Sequence, residues 1–175
     1  MEEIITSKEN TISYEKYSED ASWRPGGLKW NTSLKALHFN NDNVYNNYDL
    51  GSGLVTNVGV IYLADSWTGA AQSISSFQYH DCGTGSVAAV VTDTTITHPI
   101  GVPPRALGTQ TNPVTAQMRS IATLTLTASQ AITEWGLFSA LTGGTMWDRK
   151  VFSAINAASG DSIQFTYTLS VSAGG

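Results

Sequence analysis

Between Asp161 and Val171 the segment "DSIQFTYTLSV" places Ile163, Phe165, Tyr167, Leu169 and Val171 on one face and Gln164, Thr166, Thr168 and Ser170 on the other. That two-residue period is the signature of a half-buried β-strand. "SIATLTLTA" repeats it, with Ala122, Leu124 and Leu126 opposing Ile121, Thr123, Thr125 and Thr127. "SISSFQYHDCG" alternates more loosely through Ile74, Phe77 and Tyr79 and ends at Gly83, and "LKALHF" reads as a short strand. "GLVTNVGVIYLAD" is β-branched and continuous enough for a buried strand, with a short helix from Val58 to Trp67 as the alternative. "VAAVVTDTTITHPIGVPP" is an apolar run, then Thr-rich alternation, stopped by Pro99, Pro103 and Pro104. "SWRPGGLKW" is a break, because Pro25 fixes φ and Gly26-Gly27 permit positive φ. The Asn-rich "NNDNVYNNYDLGSG" reads as a loop entering the body. Strands spaced by roughly 10 to 15 residues, with no convincing amphipathic helix, predict an all-β fold: an antiparallel β-sandwich or jelly-roll-like body.

One stretch tests that reading. "AITEWGLFSALTGGTMWDRKVFSAI", residues 131–155, is two apolar-rich runs around a small-residue turn, yet it carries Glu134, Asp148, Arg149 and Lys150. Taking 132–138 and 145–151 as hairpin arms with symmetric pairing sets Phe138 against Thr145, Gly136 against Trp147, Glu134 against Arg149 and Ile132 against Val151. Glu134 and Arg149 then form a cross-strand ion pair, and Gly136 leaves room for the Trp147 indole. On the other face Thr133 meets Lys150, Trp135 meets Asp148 and Leu137 meets Met146. The charges are read as a structural hairpin pair that sets register.

Charge sharpens the division of the chain. Thirteen of the 23 charged residues fall in the first 50 of 175, where residues 1–20 show no sustained period. Residues 1–50 are therefore expected to be an extended N-terminal arm and entry loop ordered by a partner, and residues 51–175 the sandwich body. Disordered tails are usually poor in aromatics. Tyr14, Tyr17, Trp23, Trp30 and Phe39 consequently stand out as candidate partner-contact anchors. The charge-poor body, rich in Thr, Ser, Gly and Ala, suits packing against copies of itself, most simply as a closed homotrimer.

Function classes follow by exclusion. A net charge of -5, with no cluster of Lys and Arg, argues against nucleic acid as the partner. No apolar run is long enough to span a membrane. The opening "MEEIITSKEN" lacks the basic end and apolar stretch of a secretion signal, so synthesis and folding in a cytoplasm are expected. Cys82 is the one cysteine, which leaves no disulfide framework.

Glu134 and Asp148 could be an acid/base pair, but the register sends them to opposite faces. "YHDC" sets His80, Asp81 and Cys82 side by side, and His98 could serve Cys82 as a base. Neighbours on a strand point apart, however, and Cys82 reads as a strand-end residue before a glycine turn. His80, Cys82 and His98 lack diagnostic zinc spacing. "CGTGS" lacks the Lys and following helix of a phosphate loop, and no Asp-rich calcium loop occurs. The expectation is a non-enzymatic protein with no catalytic, cofactor-binding or metal-binding residues.

The stretches "GLVTNVGVIYLAD", "FQYHDCGTGSVAAVVTDTTITHP", "RALGTQTN", "AITEWGLFSA", "GGTMWDRKVFSAIN" and "SGDSIQFTYTLSV", in that order from Gly53 to Val171, resemble a family of small virion structural proteins of tailed bacteriophages. The resemblance implies a structural part of a virus particle, made in the bacterial host cytoplasm and placed on the virion's outer surface. A capsid decoration (cement) protein that stabilises the shell against the major capsid protein fits that implication. A tail, neck or baseplate accessory protein is the alternative within the class. A glycan- or receptor-binding module, with Trp23, Trp30, Trp67, Trp135 and Trp147 as stacking platforms, is the alternative outside it.

Overall fold

The structure, a computed structural model, describes residues 29–40, 43–70, 73–101 and 104–173. Among them are β1 (Lys29–Asn40), β2 (Asn43–Gly51), β3 (Leu54–Val55), α1 (Asn57–Thr68), β4 (Tyr79–Gly83), β5 (Ala106–Leu107), β6 (Thr109–Thr111), β7 (Gln117–Thr125), β8 (Gln130–Phe138), β9 (Met146–Ala157) and β10 (Ser162–Ser172). The strands make two antiparallel five-stranded sheets, ordered β2-β1-β10-β7-β6 and β3-β9-β8-β4-β5. The sheets pack face to face as an all-β sandwich.

The alternating residues fill the space between them. Ala122 and Leu124 from β7, with Leu126 just beyond it, and Ile163, Phe165 and Tyr167 from β10 are buried in one core with Leu34 and Ala36 of β1. The second sheet contributes Cys82, Ile132, Trp135, Leu137, Trp147 and Ile155. Trp135 stacks on Tyr167 at 5.3 Å between ring centroids, a contact between β8 of one sheet and β10 of the other.

Three expectations change. Of residues 1–50, read as arm and entry loop, the described ones belong to two strands of the first sheet: β1 pairs with β10 from Lys29 to Phe39, and the Asn-rich segment from Asn43 is β2, paired with β1. Asn has little strand preference of its own, so neighbouring β1 supplies what local propensity does not. The anchors Tyr14, Tyr17 and Trp23 lie outside the described residues. Trp30 and Phe39 belong to β1, where Trp30 meets Trp147 edge-on at 6.2 Å.

The segment from Asn57 to Thr68 is the helix α1, not a strand. Thr56 caps it by accepting from Gly59 N–H, and Gly69 ends it in the left-handed region at φ 76°. A Cβ on Gly59 would lie 3.0 Å from the Trp147 backbone, so the missing side chain lets the helix dock on β9. The β-branched Val58, Val60 and Ile61 suggest a strand, but caps and docking decide otherwise. The third change is the Thr-rich stretch after Gly83, which crosses the outer face of the second sheet as irregular backbone rather than pairing as a strand.

Candidate functional site

Glu134 and Arg149 come together on that outer face. Arg149 Nη2 donates to Glu134 Oε2 at 2.7 Å and Nε donates at 3.2 Å. The pair is not directly opposite, as the symmetric hairpin required: Glu134 stands against Val151, Gly136 against Arg149 and Leu137 against Asp148. Register slips because Trp147 is an extra residue on β9, between Met146 opposite Phe138 and Asp148 opposite Leu137. A second irregularity follows between Ile132 and Glu134. At Glu134 the shift from symmetric pairing is two residues, one from the turn, which sets Phe138 against Met146 instead of Thr145, and one from the bulge; an even shift preserves face, so Glu134 and Arg149 meet diagonally. Gly136 therefore does not face Trp147. A Cβ there would lie 2.9 Å from Ile96 Cγ2 and from Phe138 Cε2, so the glycine makes room for the crossing segment. Trp147 turns into the core, its indole N–H donating to the Tyr167 hydroxyl at 2.8 Å.

The ion pair holds down the segment from Thr84 to Gly101. Glu134 Oε1 accepts from Gly85 N–H at 3.1 Å and His98 N–H at 2.6 Å, and Oε2 from Thr97 N–H at 3.0 Å. Arg149 donates to Asp93 Oδ2 at 2.7 Å and to the Val87 carbonyl at 3.1 Å. A side-chain carboxylate thus satisfies backbone donors that a neighbouring strand would otherwise take. Burial pushes the Glu134 carboxyl up, but the His98 and Thr97 amides and the Arg149 guanidinium outweigh it and hold the group below its ordinary value. Arg149 is lowered by burial and raised further by Glu134 and Asp93, with a net rise.

A second clasp lies on the same face. Asp81 stands opposite Gly136, and Arg105 Nε donates to its Oδ2 at 3.1 Å. Arg105 Nη1 also donates to the carbonyls of Ala140, at 3.0 Å, and Gly143, holding the β8–β9 turn. The guanidinium carbon sits 3.4 Å from the Phe138 ring centroid, a cation–π contact. Burial raises the Asp81 carboxyl more than Arg105 lowers it.

The inward groups are closed off differently. His80 Nε2 lies 2.8 Å from the Ser120 hydroxyl on the opposite sheet, and its Nδ1 accepts from the Trp135 indole at 3.2 Å. Burial lowers its pKa to about 3, so the ring is neutral. Cys82 shares this interior face, and burial raises its thiol to about 12. His98 is exposed on the segment over the other face, so Cys82 and His98 do not meet. Asp148 also points inward, away from Glu134. The Tyr167 and Thr32 hydroxyls and the Arg149 and Leu54 amides surround it, but no close, well-aligned hydrogen bond reaches either oxygen. Burial raises this carboxyl to about 7.

Chemically these groups are spent on holding the fold. Glu134 is fully covered and saturated with donors, His80 has both nitrogens engaged, and Cys82 carries no thiolate near neutrality. Among the described residues no group of three His, Cys, Asp or Glu is placed to hold a metal, and no helix is long and apolar enough to cross a membrane. A cleft beside β3, lined by Ser52, Gly53, Ala88, Arg149 and Lys150, offers the Lys150 ammonium, which donates to the Ser52 carbonyl at 2.7 Å. Trp135 and Trp147 are buried and Trp30 packs on Trp147, so of the described tryptophans Trp67 on α1, 75% exposed, is the free stacking surface. Sequence reasoning found the Glu134–Arg149 pair, named Asp81 only beside His80 and Cys82, and missed Asp93 and Arg105. Their partners lie 56, 24 and 38 residues away or less, across irregular backbone that carries no periodic signal. No family model, curated protein or solved structure matches this chain.

Proposed function

We propose that this chain is a non-enzymatic structural protein of a tailed-phage particle, a capsid decoration protein on the outer surface of the shell. One observation carries the reading: Glu134, Arg149, Asp81 and Arg105 are engaged in fastening loops and His80, Cys82 and Asp148 are shut in the interior, while large apolar side chains are left outside. Trp67, Tyr45, Leu107 and Val87 are 75%, 68%, 62% and 61% exposed. A surface of that kind suits assembly with other subunits more than turnover of a small substrate. The resemblance of the stretches from Gly53 to Val171 to small virion proteins points the same way. In this reading the major capsid protein, or a tail or neck protein, is the partner. Residues 1–22, with Tyr14 and Tyr17, make the attachment, and the body associates with its own copies, most simply as a trimer.

Purified particles from the source that encodes this chain test it. Gel densitometry and peptide mass spectrometry should find the chain in many copies per particle, and a chain lacking residues 1–22 should fold but fail to attach. Absence from purified particles refutes the reading. Full occupancy by the shortened chain moves attachment from the arm to the body.

A further inference from the structure

Residues 51–56 carry the chain from the first sheet to the second. Gly51, the last residue of β2, pairs with Leu34 of β1. At the other end Thr56 is tied to β9 twice, its N–H donating to the Trp147 carbonyl at 2.9 Å and its hydroxyl to the Met146 carbonyl at 2.6 Å. The strap between them, residues 52–55, is held lightly. Lys150 Nζ donates to the Ser52 carbonyl at 2.7 Å, Gly53 N–H donates to Thr32 Oγ1 at 3.1 Å, and β3 adds two residues of pairing with β9. Leu54 and Val55 are only half-buried. Beneath the strap lies Asp148, fully covered, with no close, well-aligned hydrogen bond to either oxygen. Gly53 rests directly on that carboxyl, and a Cβ there would overlap it. A charge in such a place has lost water and gained no partner.

We propose that residues 52–55 are a proton-held latch, closed over Asp148 while its carboxyl is protonated and lifted locally, between fixed ends at Gly51 and Thr56, when it ionises. The inference goes beyond the particle reading and does not rest on it. Lifting a weakly tied edge segment hydrates the carboxylate without dismantling the two sheets. It also removes one wall of the cleft that Ser52, Gly53 and Leu54 line. Facing Asp148 are the Thr32 hydroxyl from β1 and the Tyr167 hydroxyl from β10, which burial raises well above 10 and so keeps protonated. Arg149 turns to Glu134 and Asp93 on the outer face, Lys150 is held at Ser52, and His38, farther along β1, is engaged with Asp161. On α1, Asp65 is exposed and the Tyr62 hydroxyl is hydrogen-bonded to that of Ser76. Burial in the closed form raises the Asp148 carboxyl from 3.8 to about 7, and lifting returns it toward the lower value. The opening equilibrium should therefore grow ~10-fold per pH unit from about pH 4 to about pH 7 and level off above.

Deuterium exchange of the full chain from about pH 5 to about pH 8, corrected for the intrinsic pH dependence of amide exchange, reads the latch. Protection of the amides of residues 53–55 should fall ~10-fold per unit up to about pH 7 and then level. Dilute urea should leave it unchanged, because a local opening exposes little surface. Carbon-13 NMR of the Asp148 carboxyl in the unaltered chain should give a midpoint of about 7. Asp148→Asn keeps the shape without the charge, and its strap protection should be independent of pH. Four results would each overturn the proposal: strap protection flat from about pH 5 to about pH 7, the parent's slope retained in Asp148→Asn, a carboxyl midpoint near ~4, or strap amides that exchange only in step with those of β7 and β10 as urea is added.

Discussion

Arg149 reaches Glu134 diagonally across β8 and β9, Nη2 to Oε2 at 2.7 Å, with 1% and 0% of the two side chains exposed. The pair matters less for its own attraction than for the backbone it gathers. Gly85, Thr97 and His98 give their amides to Glu134, and Val87 and Asp93 accept from Arg149.

Removing one partner should therefore hurt more than losing a surface ion pair. Glu134→Ala leaves three amides without their acceptor and a covered guanidinium with only Asp93 and the Val87 carbonyl, and should destabilise by about 3–5 kcal/mol. Deuterium exchange at Gly85, Thr97 and His98 should rise with it. Unchanged exchange there would show that something else fastens the segment.

Asp148 predicts an unusual pH response. The folded chain keeps its proton up to about pH 7, against 3.8 for the free group. Between those values the folded state holds the extra proton, so this contribution to stability falls as pH rises to about 7 and is level above it. His80 acts oppositely, because its folded value near 3 lies below 6.5 and its contribution rises through that window. Asp148→Asn should gain on the parent by on the order of 1 kcal/mol per pH unit from about pH 4 to about pH 7. Denaturant unfolding at stepped pH checks this, and parallel curves for the two proteins would refute it.

Gly136→Ala should destabilise by about 1–3 kcal/mol, since its Cβ would press on Ile96 and Phe138. Thermal unfolding measures the loss. A neutral result would mean the crossing segment yields easily at Ile96.

Arg105→Lys keeps the charge but loses the planar group over Phe138 and the fork that serves Asp81, Ala140 and Gly143. The expected loss is about 1–2 kcal/mol, with faster exchange in the turn from Ser139 to Thr145.

Cys82 should resist thiol reagents at pH 8 while the chain is folded, because it is buried and its thiol is raised to about 12. Labelling should proceed at the rate of opening and become immediate in denaturant. Rapid labelling of the folded chain would place Cys82 nearer the surface.

The strands with strict alternation, β7 and β10, were legible directly. Their period matches the pleat, and one face had to be buried wherever the partner sheet lay. The Glu134–Arg149 contact was legible too, because an even shift of register preserves which face a side chain takes. What the chain's own pattern could not decide were features set by distant residues. β2 is a strand because β1 lies beside it, α1 is a helix because Gly59 docks on Trp147, and Thr84–Gly101 stays irregular because Glu134 answers its amides. The bulge at Trp147, the exposure of Tyr45 and Trp67, and the burial of Asp148 belong to the same group. Local propensities differ by about 1 kcal/mol or less per residue, and tertiary contacts at those positions outweigh them.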